Sequence, residues 1–173
     1  MDAADLYEKL YFFELEQRQK IHALLKIPMG VNLALTGALI FLLDLGRSIE
    51  SATAAFFWIF WIVGAFCVAA AIYFFFRALW GNEYHCLPTA EQSHEYSLEL
   101  QGTYENYDDG DQHASKFFEA YLQRYIRECG SHNTAVNEKR SNRIHDSISC
   151  SIIATCSLTV AFLCQWFLAS AGT

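Results

Sequence analysis

Long uncharged, apolar runs alternate along this chain with stretches rich in charge. Residues 54–76 form the clearest run, twenty-three positions without a charged side chain. As a helix they rise about 34 Å, enough to cross a hydrocarbon core of about 30 Å. Residues 147–173 repeat the signal, with Ile152, Ile153, Val160, Phe162, Leu163, Trp166 and Phe167 as an apolar body. A third run, Ile27 to Leu43, has seventeen uncharged residues and includes Pro28, Gly30 and Asn32. That is the short end of the range for a span.

Basic residues decide whether the third run crosses. With three spans, one side holds Lys9, Arg18, Lys20, Lys26, Arg77, Lys116, Arg124, Arg127, Lys139, Arg140 and Arg143, and the other holds only Arg47. With two spans they divide five against seven. The excess of Lys and Arg on cytoplasmic loops favours three spans, with the N-terminus in the cytoplasm. The predicted fold class is all-α: a multi-pass membrane protein with a small cytoplasmic helical bundle. Its predicted parts are an amphipathic helix over 1–26, two transmembrane helices with a short outer loop over 27–80, a bundle over 81–146 and a C-terminal span over 147–173. The first 26 residues mix charges and carry no short apolar core or small-residue cleavage site, so they do not read as a signal peptide.

Helical spacing organises the charged stretches. Leu6, Leu10, Phe13, Ile21 and Leu24 mark one face of the first helix. Pro88-Thr89 followed by Gln92 reads as a helix start with a capping pair. That helix carries Tyr96, Leu100, Tyr104 and Tyr107 on one side. Asp108-Asp109-Gly110-Asp111 reads as a loop without the alternating ligands of a calcium loop. Phe117, Phe118, Tyr121, Leu122, Tyr125, Ile126 and Cys129 form the next stripe, with a break expected at Gly130-Ser131. A bundle of this size is marginal alone and leans on the spans and on neighbouring subunits.

Charge narrows the function. The whole chain carries a formal net charge of −7. Residues 81–146 hold twelve acidic against six basic side chains, which argues against a free-standing nucleic-acid surface. Cys67, Cys150, Cys156 and Cys164 lie in the apolar runs, where cysteine behaves as a small apolar residue. His85 and Cys86 have no second pair at zinc spacing, so no metal and no other cofactor is expected. No charge falls mid-span, which argues against a proton-coupled transporter.

Two polar patterns remain. Ser147, Ser151, Thr155 and Thr159 recur every four residues on the last span. Such a stripe can line an aqueous path in a ring of copies, or it can serve helix packing. Ahead of it lies the cluster Asn133, Asn137, Lys139, Arg140, Asn142, Arg143, His145 and Asp146. Within the cluster, Arg140-Ser141-Asn142-Arg143-Ile144-His145 has the form R-x4-H.

That motif, in a chain of this length with spans around a small helical region, resembles the small membrane accessory proteins of type VI-B CRISPR systems, which carry a divergent HEPN-like motif. In active HEPN proteins, Arg and His from paired domains form a metal-independent ribonuclease site. The resemblance implies a homo-oligomeric pore in the bacterial inner membrane. It would be linked functionally to an RNA-guided, RNA-cleaving effector, and would dissipate the membrane potential in antiviral defence. Residues five apart on a straight helix differ by about 140° in direction, so Arg140 and His145 face different ways. Three readings of the pair follow: interfacial and subunit-contact residues, a catalytic pair, or part of a ligand sensor. The matching functions are a pore-forming effector, a membrane-tethered ribonuclease and a membrane sensor or anchor.

Overall fold

The computed structural model describes residues 3–47 and 54–171, whose regular structure is all helix. The expected outer loop and the last two residues of the C-terminal span lie outside the described residues. Five helices follow in order: α1 (Ala3–Leu24), α2 (Lys26–Gly46), α3 (Ala54–Leu79), α4 (Ala90–Tyr104) and α5 (Gly110–Ala171). Three stretches are long and apolar enough to cross a membrane, within Leu6–Gly46, Ala54–Leu79 and Gly110–Phe167. The chain is an all-α membrane protein.

The residues fall into two compact units, 1–20 with 83–138, and 21–82 with 139–173. Helix α5 contributes to both. It runs straight through Gly130-Ser131, where a break was expected. A mid-helix glycine costs about 1 kcal/mol against alanine. Anchoring of the flanking residues Cys129, His132 and Asn133 outweighs that cost.

The apolar unit packs α2, α3 and the second half of α5 through small residues. Ala71, Ala78, Ala154 and Ala161 are fully buried; Ala154 and Ala161 cluster with Leu35, Leu42, Phe57, Val68 and Leu158, and Ala78 with Ile21, Leu25 and Ile144. Gly64 lets α3 approach α5 closely: a Cβ there would stand 2.6 Å from Leu158 Cδ2. Gly46 is pressed against the Phe57 ring in the same way. Close approach through small residues is how helices gain contact in lipid, where burial of apolar surface gives little. Pro28 falls in the first turn of α2, where its missing N–H leaves no bond unmade. The aromatics of α3 divide. Phe56, Phe66, Tyr73 and Phe76 face outward, but Phe57 is wholly buried and Trp61 Nε1 donates to Leu39 O at 3.1 Å.

In the charged unit, Thr89 caps α4 as expected, with Gln92 N–H donating to Thr89 Oγ1 and Thr89 N–H donating to Gln92 Oε1. Tyrosines join α4 to α5: Tyr96 lies 4.2 Å from Tyr121, and the Tyr104 ring stacks on Phe117. Helix α4 ends at Tyr104, so Tyr107 belongs to the turn, and α5 begins at Gly110 inside the expected loop. The face of α1 also differs from expectation. Of the expected face Ile21 is buried, in the apolar unit, while Leu6, Leu10 and Phe13 stay 42–50% exposed and Tyr11 and Glu14 are buried in their place. Polar bonds select that face. The Tyr11 hydroxyl accepts from Leu87 N–H, and both the carbonyl and the carboxylate of Glu14 accept from Asn137 Nδ2.

Candidate functional site: the polar faces of helix α5

The predicted cluster on α5 divides between the two units. In the charged unit it forms a clamp on the extended segment 83–88. Asn133 is fully buried, and its side chain makes both bonds of a backbone pairing. Its Oδ1 accepts from His85 N–H at 3.0 Å, and its Nδ2 donates to His85 O at 2.9 Å. One turn on, Asn137 Oδ1 accepts from the Tyr84 hydroxyl at 2.6 Å while its Nδ2 donates to Glu14. Cys129 Sγ donates to Cys86 O at 3.5 Å. His132 Nε2 lies 3.0 Å from Glu83 O, and its ring stacks on His85 at 3.7 Å. Arg18 lies over the Tyr84 ring. The spacing 129, 132, 133, 136, 137 is one helical stripe, so the clamp follows from period alone once segment 83–88 is laid along it.

Burial raises the Cys129 thiol above its ordinary range, with Cys86 and Glu128 adding to the effect. The pair His85/Cys86 thus meets a second pair, Cys129/His132, which a search of local spacing missed. Among the described residues no three His, Cys, Asp or Glu side chains converge in metal-holding geometry.

In the apolar unit, the arginines of the R-x4-H motif complete the end of α3. The last carbonyls of a helix have no partner within it. Arg140 is 2% exposed, and its Nε donates to Ala78 O at 3.1 Å. Arg143 donates to Arg77 O, and Asn82 Nδ2 to Ala78 O at 2.8 Å. Cations at a helix C-terminus also meet the favourable end of its dipole. Ile144 is buried next to Ala78, Ile21 and Leu25. His145 is exposed. The helix is continuous from 140 to 145, so the structure does not bring Arg140 and His145 together within the chain.

The hydroxyl stripe is split. Ser147 and Ser151 are buried, bonding to Ala71 O at 2.8 Å and Asn32 Oδ1 at 3.1 Å. Thr155 and Thr159 bond back to Ser151 O and Thr155 O on their own helix and face outward. Ser157, outside the stripe, donates to Phe60 O.

Compared with family models, curated proteins and solved structures, the chain matches none.

Proposed function

We propose that this chain is a membrane effector that assembles with copies of itself into a ring around a pore and dissipates the membrane potential. One observation carries the reading. Leu6, Leu10 and Phe13 form an apolar stripe on a helix of the charged unit, and nothing among the described residues covers it. Contiguous exposed apolar surface marks an association site, and three spans need several copies to enclose an aqueous path. The outward hydroxyls of Thr155 and Thr159 supply a polar edge for its wall. Resemblance to type VI-B accessory proteins adds the setting: the bacterial inner membrane, N-terminus inward, in defence beside an RNA-guided effector.

The ribonuclease reading is supported less well, because the Arg140 guanidinium caps α3 and His145 lies on a different face. The decisive experiment uses Leu10→Glu and Phe13→Glu. Light scattering of the purified protein should show an oligomer that these variants break. Cells expressing wild type should lose the signal of a potential-sensitive dye, and cells expressing the variants should keep it. A monomeric wild type with an unchanged potential would leave a sensor or anchor. RNA cleavage abolished by both Arg140→Ala and His145→Ala would establish the nuclease.

A further inference from the structure

Helices α2 and α3 leave a groove of about 490 Å³ between them. Met29 and Leu33 from α2, with Phe75 and Phe76 from α3, make its walls apolar. Three polar residues, Lys26, Asn32 and Thr36, interrupt them. Lys26 stands at one end, and Asn32 lies further in. Asn32 is 5% exposed; its Oδ1 accepts from Ser151, while its Nδ2 is buried with no hydrogen-bond partner. Thr36 Oγ1 donates to the Asn32 backbone carbonyl, and its lone pairs receive no bond from the Asn32 amide. An unpaired buried donor costs about 1–3 kcal/mol. In a bilayer core no water is present to relieve it.

The groove therefore suits an occupant that is apolar along its length, carries an acceptor oxygen opposite Asn32 and is negatively charged beside Lys26. We propose that an anionic glycerophospholipid of the surrounding bilayer lies there. One acyl chain follows the groove, the Asn32 amide tilts toward it so that Nδ2 donates to an ester carbonyl, and the phosphate pairs with Lys26. Dimensions agree. Lys26 to Thr36 is about 15 Å of helix, half of a hydrocarbon core of about 30 Å and thus one leaflet. Lys26 and Asn32 are six residues apart, about 9 Å of rise. Helical side chains lean toward their N-terminus, which brings the Asn32 amide back toward Lys26 and shortens the span that glycerol must bridge. A lysine at the end of a span reaches the headgroup level in the same direction.

Full-length protein in mixed micelles, carrying diester phosphatidylglycerol, diether phosphatidylglycerol or diester phosphatidylcholine, tests the proposal by native mass spectrometry. The diether lipid has the same charge and chains but no carbonyl. Wild type should retain the diester phosphatidylglycerol about three- to tenfold better than the diether form, as one hydrogen bond implies. Asn32→Leu should abolish that difference. Lys26→Gln should weaken the preference for phosphatidylglycerol over phosphatidylcholine and keep the ester preference. Equal retention of ester and ether lipids by wild type overturns the proposal, and needs no variant to fold. Disulfide cross-linking of Met29→Cys between two copies, with no lipid retained, overturns it in favour of a second copy in the groove.

Discussion

Arg140 donates its Nε–H to the carbonyl oxygen of Ala78 across 3.1 Å, joining positions sixty-two residues apart. The bond ends α3 with a charge from α5. Hydrogen bonds to charged groups contribute about 1.5–3 kcal/mol, and removing one partner of a buried pair exposes the other's unmet need. Arg140→Ala is therefore expected to destabilise the protein by about 2 kcal/mol or more. His145→Ala, at an exposed position, should stay within about 0.5 kcal/mol of wild type. Thermal melts in detergent, followed by circular dichroism, measure both. Equal losses would mean that the two residues act together.

Asn133 gives a second expectation. It alone satisfies both backbone groups of His85. Asn133→Leu keeps the bulk and strands a donor and an acceptor, at about 1–3 kcal/mol each if they stay buried. The local answer is release of segment 83–88 from α5. Hydrogen exchange at His85 should then speed up far more than exchange in the spans. No change there would show that the stacked histidines and Tyr84 hold the segment without Asn133.

Cysteine reactivity reports the same clamp. Cys86 is exposed, whereas Cys129 is buried with its thiol pKa raised. A raised pKa delays the thiolate, which is the reactive form, as pH increases. Maleimide labelling at pH 7–8, mapped by peptide mass, should modify Cys86 first. Cys129 should follow only at higher pH or in Asn133→Leu. Equal rates at the two thiols would contradict the burial of Cys129.

What the sequence made legible was local or periodic. Apolar runs located the spans, and the Thr89–Gln92 spacing announced a capping box. Non-local choices were not legible. Leu6, Leu10 and Phe13 have helical spacing, but the protomer buries Tyr11 and Glu14 because Leu87 and Asn137 offer them hydrogen bonds. Gly130 carries a break signal that anchored neighbours override. Arg140 fell within a sequence motif, yet its partner is the end of a helix that no spacing rule connects to it. The hydroxyl stripe was uniform in sequence and divided by packing.

That division yields the last prediction. Ser147 and Ser151 bond to α3 and α2, whereas Thr155 and Thr159 bond only within α5 and turn outward. Hydrogen bonds between membrane helices average about 0.6 kcal/mol and reach at most about 1.7. Ser147→Ala should thus lower the melting temperature slightly and leave conductance intact. Thr155→Leu with Thr159→Leu removes no bond between helices, so the protomer should melt as wild type does. In a ring whose wall includes that face, the same double variant makes the wall apolar, and a narrow apolar constriction dewets and stops conducting. Single-channel recording in planar bilayers separates the two classes: stability follows Ser147, and current follows Thr155 and Thr159. If instead the double variant conducts normally, the aqueous path runs along another face and these threonines contact lipid. Leu10→Glu would then be the variant that still silences the channel, through assembly alone.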